Sequence, residues 1–132
     1  MDLNKERIRD LLIDSVHSKT EAKDFFGKNL NNSELLNILV EFAADDYSGD
    51  ARMEAAYWIS KFDITLLESI ENDLLRIQED ELDSIVCHIL VALGRIKSKE
   101  GLKFLIERRI EPEMYWESQA LKYYFSDILE GY

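Results

Sequence analysis

The stretch that decides the fold is Asp50-Ala51-Arg52-Met53-Glu54-Ala55-Ala56-Tyr57-Trp58-Ile59-Ser60-Lys61-Phe62. Arg52, Ala55, Ala56 and Ile59 recur at helical spacing along one stripe, and Ala51, Ala55, Trp58 and Phe62 along the stripe beside it. Met53 and Tyr57 add a third apolar patch. Asp50, directly after Gly49, is the expected N-cap, because a short carboxylate there can accept from the unpaired amides of the first turn. A helix that is apolar on most sides needs neighbours before and behind, so this one is expected in the middle of a helical stack. The adjacent Ala55 and Ala56 leave room for another backbone to approach closely.

Working outward, the same periodicity covers the chain. A first helix is expected over 3–17, with Ile8, Leu11, Leu12 and Val16 inward. Thr20 is the expected cap of a short second helix carrying Phe25 and Phe26 and stopping at Gly27. Asn31 or Asn32 caps a third, whose Leu35, Leu36, Leu39, Phe42 and Ala43 face inward until the turn-rich run 45–49. After the fourth, Asp63 caps a fifth with Leu67, Ile70, Leu74 and Ile77 inward, and residues 78–81 make a polar connection. The sixth, over 81–96, has the cleanest stripe: Leu82, Ile85, Val86, Ile89, Leu90 and Leu93. Ser98 caps a seventh with Leu102, Leu105 and Ile106, and Pro112 sits in the first turn of an eighth carrying Trp116, Ala120, Tyr124 and Ile128. Short connections imply antiparallel neighbours, and no segment reads as a strand. The fold class is all-α, with about eight helices.

Length and composition agree with that reading. The 132 residues form one domain, 1–132, large enough to bury a core of its own. With 46% hydrophobic and 33% charged residues, wholesale disorder is not expected. Proline occurs once and glycine five times, too little punctuation for an all-β chain. Cys87 is the only cysteine, which excludes an internal disulfide and suits a reducing compartment. No signal peptide is read at residues 1–7 and no apolar run reaches bilayer length, so the expected location is cytoplasmic, away from membranes.

The fourth and sixth helices match each other at an offset of 34: Ala55-Ala56 falls on Ile89-Leu90, and Ile59-Ser60-Lys61-Phe62 on Leu93-Gly94-Arg95-Ile96. Residues 116–125 look like the first helix of a third unit cut short. A two-helix period of this length is the mark of a short α-solenoid of antiparallel pairs, in which each unit buries its faces against the next. Here the chain resembles the HEAT-repeat family, in the short form found in phycobilisome lyases, whose first helices follow an Asp-x-x-Arg-x-x-Ala-Ala-x-x-Leu-Gly pattern. Asp50-Ala-Arg52-Met-Glu-Ala55-Ala56-Tyr-Trp-Ile59-Ser60 matches most of it, with Ile for Leu and Ser for Gly, and Leu93-Gly94 matches its close. The resemblance covers residues 33–129 and leaves 1–31 as an atypical N-terminal cap. It implies a binding scaffold, with Arg52 as a structural residue bonding to an adjacent loop.

Candidate chemistry is sparse. Cys87 and His88 are adjacent, so on a helix they point about 100° apart and do not converge on one metal or proton. His17 is the only other histidine, and zinc would need two further Cys or His ligands. The run Asp45-Asp46-Tyr47-Ser48-Gly49-Asp50 breaks the EF-hand alternation at Tyr47 and lacks the closing glutamate. No phosphate loop, nucleophile elbow or zincin motif is present. The expected protein is not an enzyme and carries no metal or cofactor.

Charge is more informative. The formal net charge is −11, from 27 acidic and 16 basic side chains, which disfavours direct binding of nucleic acid or anionic lipid and attracts cationic partners. Residues 29–51 hold five acids and no base, and residues 62–83 hold eight acids against Arg76 alone, whereas Arg95, Lys97, Lys99, Lys103, Arg108 and Arg109 gather in one span. In a solenoid the second helices of successive units line one surface, which would put Glu41 and Asp45 with Glu68, Glu71 and Asp73 on an acidic wall. The expected partner-binding residues are Glu41, Asp45, Asp46, Tyr47, Glu68, Glu71, Asp73, Glu113, Tyr115, Trp116 and Glu117. In that set aromatic anchors supply energy and carboxylates supply on-rate and specificity. In size, charge and helical make-up the chain is similar to small bacterial HEAT-like immunity proteins. That similarity implies a monomer that neutralises a cognate toxin domain, a basic nuclease, by covering its active site. A regulatory scaffold or adaptor, or a lyase-like accessory protein, are the alternatives.

Overall fold

The computed structural model describes residues 3–44, 49–79, 83–107 and 122–124. Among them there are eight helices, a further helical stretch at 122–124, and no strand. In chain order the helices are α1 (Lys5–Val16), α2 (Thr20–Lys28), α3 (Ser33–Ala44), α4 (Gly49–Ile59), α5 (Ile64–Ser69), α6 (Glu71–Ile77), α7 (Asp83–Arg95) and α8 (Lys99–Glu107). The protein is all-α, as its periodicity requires.

α4 lies at the centre. It packs against α1, α3 and α7, and Ala51, Ala55, Ala56 and Ile59 have no solvent exposure. α3 packs against α4 and α6 against α7, the next helix along the chain in each case, and α3 also touches α6. Of the positions that match at an offset of 34, Ala55 and Ile89, Ala56 and Leu90, and Ile59 and Leu93 are all buried, whereas Phe62 is buried and its counterpart Ile96 is half-buried. Along α7 every residue from Ile85 to Leu93 is buried, including Cys87, His88 and Val91 outside the expected stripe. Contacts with α4, α5, α6 and α8 enclose this helix on more sides than a single stripe implies.

Three expected caps are in place. Asn32 Oδ1 accepts from the amide of Leu35, Asp63 Oδ1 from Thr65, and Ser98 Oγ from Gly101. Asn4 caps α1 by accepting from Glu6 and Arg7. Others differ from expectation. Thr20 is the first helical residue of α2 rather than its cap, and the preceding Lys19 makes no side-chain capping bond. α2 runs through Gly27 to Lys28 and is followed by the capping residue Asn29, whose side-chain amide donates to the carbonyl of Phe25 at 2.6 Å and satisfies a terminal acceptor. Asp50 lies inside the first turn of α4, where its carboxylate still faces the positive end of the helix dipole.

The expected fifth helix is two. At Ile70 the backbone leaves helical geometry (φ −114°, ψ 20°), its amide bonds back only three residues to Leu67, and the Ser69 hydroxyl donates to the carbonyl of Leu66. The ladder restarts when Leu74 donates to Ile70, and Leu67, Ile70, Leu74 and Ile77 stay buried through the break. In α1 it is Ser15 rather than Val16 that turns fully inward. Its hydroxyl accepts from Trp58 Nε1 and donates to Glu54 Oε2, tying α1 to α4 by two side-chain hydrogen bonds. The expected eighth helix, with Trp116, Ala120 and Ile128, and the side chains of Leu82, Leu105 and Ile106, lie outside the described residues.

α1 and α7 both end by the same device. Ser18 (φ 60°) and Lys97 (φ 54°) take the left-handed conformation, and the residue after each donates back five positions, Lys19 to Asp14 and Ser98 to Leu93. Between α4 and α7, Arg95 donates to the carbonyls of Ser60 and Phe62 at 2.7 and 2.6 Å, closing the C-terminal end of α4.

Candidate functional site

The charge of this protein has an address. Residues 1–28 hold six acidic and six basic side chains, residues 95–132 seven and seven, and residues 29–94 fourteen against three. The whole net charge of −11 is therefore carried by the segment that folds into α3 to α7. Its three cations are each engaged locally. Arg52 is buried, with Nε donating to the carbonyl of Ala43 at 3.0 Å in the last turn of α3. Lys61 sits over the ring of Tyr57, 5.4 Å from its centroid, and Arg76 pairs with Asp73 one turn away on α6.

The expected partner-binding residues that the structure describes fall in three settings. Glu41 is exposed near the end of α3 and pairs with Lys5 of α1. Asp73 lines an open depression of about 360 Å³ between α3 and α6, together with Val40, Ala44, Arg76, Ile77 and Glu79. Glu68 and Glu71 line a different depression, opposite Ile96, Lys97, Ser98, Lys99 and Glu100, where α5 and α6 meet the start of α8. Asp73 thus shares a depression with α3, while Glu68 and Glu71 share theirs with part of the basic span. The break at Ile70 lies between Glu68 and Asp73, so α5 and α6 are not one continuous face. Asp45, Asp46, Tyr47, Glu113, Tyr115, Trp116 and Glu117 lie outside the described residues.

The α3–α6 depression combines apolar and acidic lining. Val40 and Ile77 are aliphatic, Ala44 is small, and Asp73 and Glu79 are carboxylates. Ile77 belongs to the expected inward stripe of the fifth helix, whereas Val40, Ala44 and Glu79 are outside the helical stripes. Val40 and Ala44 are one turn apart on the flank of the α3 stripe, and their pairing with α6 is a tertiary fact that periodicity within one helix does not carry.

A second polar cluster lies between α4 and α7. His88 meets the edge of Tyr57 with ring centroids 5.5 Å apart, and Tyr57 in turn packs edge-on against Trp58, which stacks on Phe26 of α2. Burial first, and the nearby Lys61 ammonium second, push the His88 imidazole down from 6.5 to about 4, so it is neutral at physiological pH. Cys87, the only cysteine in the sequence, is buried on the same helix. Among the described residues no three His, Cys, Asp or Glu side chains converge as a metal site, and no described helix is long and apolar enough to cross a membrane.

At the far end of α7, Tyr124 packs with Phe104 against Val86 and Leu90. Its buried hydroxyl has no hydrogen-bond partner among the described residues, and burial together with Glu71 raises its pKa. Comparison of the chain with protein-family models, with curated proteins and with solved structures yields no match.

Proposed function

We propose that this protein is a binding module for a basic protein partner, built as a short HEAT-like α-solenoid. The solenoid reading is supported by the packing of α4 against both α1 and α7, by the paired neighbours α3/α4 and α6/α7, and by the match at an offset of 34. The observation that carries the functional reading is the confinement of all net charge to residues 29–94, with the three cations there held locally. A field of one sign over one part of a surface steers an oppositely charged protein and sets its docking orientation.

The most concrete form is an immunity protein in the cytoplasm of the cell that makes it. It acts as a monomer and neutralises a cognate toxin domain, a basic nuclease, by one-to-one binding. The carboxylates take the place of substrate phosphates and cover the toxin's basic cleft, so no bond is made or broken by the protein itself. The genomic sign of this role is a neighbouring gene for a large secreted protein with a basic C-terminal domain. Co-expression with that domain restores growth on this reading, and replacing Glu41, Glu68 and Asp73 by lysine abolishes the rescue while the helical circular dichroism is retained. Unchanged rescue by that variant would contradict the charge-steered mechanism. Failure of the unaltered protein to rescue would contradict the immunity reading and leave the adaptor alternative.

A further inference from the structure

We infer that the depression between the end of α3 and α6 is the seat for a cationic amphipathic segment of the partner, one that presents an aliphatic side chain flanked by lysine or arginine. The inference rests on the protein-binding reading and locates its contact. The depression is open, about 360 Å³, and lies within the segment 29–94 that carries the net charge. Val40, Ala44 and Ile77 offer an apolar lining for one inserted side chain, which supplies the energy of removing it from water. Asp73 and Glu79 stand at the same depression, within reach of cations flanking that side chain.

Complementarity in charge identifies the occupant. An apolar peptide without cations partly desolvates the Glu79 carboxylate and the Arg76–Asp73 pair and offers them nothing in return, which disfavours it. A polycation without an apolar residue gains nothing from Val40 and Ile77. Among the described residues Arg76 is the one lining group of the wrong sign, and its side chain is largely exposed in its pair with Asp73. Such a pair holds weakly, so an arriving guanidinium or ammonium can share the Asp73 carboxylate.

The test uses the full chain and a defined probe: a fluorescein-labelled, 14-residue amphipathic peptide of alternating leucine and lysine blocks, with binding read by anisotropy and mapped by amide chemical shifts. The inference expects saturable binding, with the largest shifts at residues 40, 44, 73, 76, 77 and 79. It expects Asp73→Asn combined with Glu79→Gln to weaken binding about tenfold. Glu21→Gln combined with Glu34→Gln removes the same charge from exposed sites elsewhere and should change affinity less than about twofold. Val40→Glu discriminates further, because it adds negative charge while spoiling the apolar lining: seating in the groove predicts weaker binding, and attraction by charge alone predicts tighter binding. Where Val40→Glu lowers the helical signal, the two charge-pair variants decide. Shifts spread evenly over the surface, equal losses in the two charge-pair variants, or no binding at millimolar peptide would overturn the seat. None of those outcomes bears on growth rescue by the unaltered protein, so the seat and the wider reading fail separately.

Discussion

Gly101 is a position where two physical rules give opposite answers, and the structure decides between them. It lies inside α8, where exchanging glycine for alanine ordinarily stabilises a helix by about 1 kcal/mol. A Cβ built there would lie 2.6 Å from the Tyr124 hydroxyl, 2.9 Å from Leu93 Cβ and 3.2 Å from Leu93 Cδ1. The Tyr124 contact can be relieved at the tip of its side chain. The Leu93 Cβ contact cannot, since that atom is fixed to the backbone of α7, so α8 must move away from α7. Overpacking of this kind costs about 1–3 kcal/mol, which matches or exceeds the propensity gain. Gly101→Ala is therefore expected to give no stabilisation and to destabilise the protein by up to about 2 kcal/mol net. In urea, with a slope of about 2 kcal/mol/M, the midpoint should fall by up to about 1 M. Adding Tyr124→Phe should recover part of this loss, because it removes the nearer contact and a buried hydroxyl that has no partner among the described residues, but leaves Leu93 in place. A midpoint that rises in Gly101→Ala would refute the close approach of α8 to α7.

Other consequences follow from single residues. Lys97→Gly and Ser18→Gly should each stabilise by about 1 kcal/mol in thermal or urea melts, because both residues are held at positive φ. Arg52→Ala should cost about 2–3 kcal/mol through the lost bond to the Ala43 carbonyl and lost packing, and Arg52→Lys should not restore it, since Nε is the donating atom. His88 is held neutral in the fold down to about pH 4, whereas the unfolded chain takes up a proton below about pH 6.5. Its contribution is thus intact above pH 6.5 and lost as pH falls toward 4, a decline on the order of 2 kcal/mol that urea melts at stepped pH should show and His88→Gln should flatten.

The helices were legible because apolar residues at three- and four-residue spacing have little alternative. The centrality of α4 could be read for a related reason: Ala51, Ala55, Ala56, Trp58 and Ile59 need burial on more than one side. Ser15 was not legible, since a serine beside Val16 looks like the wetter of the two until Trp58 Nε1 is found to need an acceptor. The break at Ile70 was equally hidden, because Leu67, Ile70, Leu74 and Ile77 keep helical spacing across it and only the Ser69 hydroxyl competes for a carbonyl. For the candidate site, the sequence disclosed the acids but not their neighbours. Glu68 and Asp73 are five residues apart, yet one faces Lys97 and Lys99 and the other faces Val40 and Ala44. Which side of the fold a charge occupies depends on the loop and the break before it, and helical period alone does not supply that.

The account stands on where the charge lies, and growth rescue with a redistributed surface measures it directly. One variant converts Glu34, Glu41, Glu68, Glu71, Asp73 and Glu79 to their amides; the other does so for Glu6, Asp10, Glu21, Asp24, Glu100 and Glu107, leaving the same total charge. Co-expressed with the basic toxin domain that the proposed function expects to be encoded beside it, the second variant should protect as the unaltered protein is expected to, and the first should not. Equal protection by both, with both folded, would contradict the claim that the α3–α7 segment is what meets the partner.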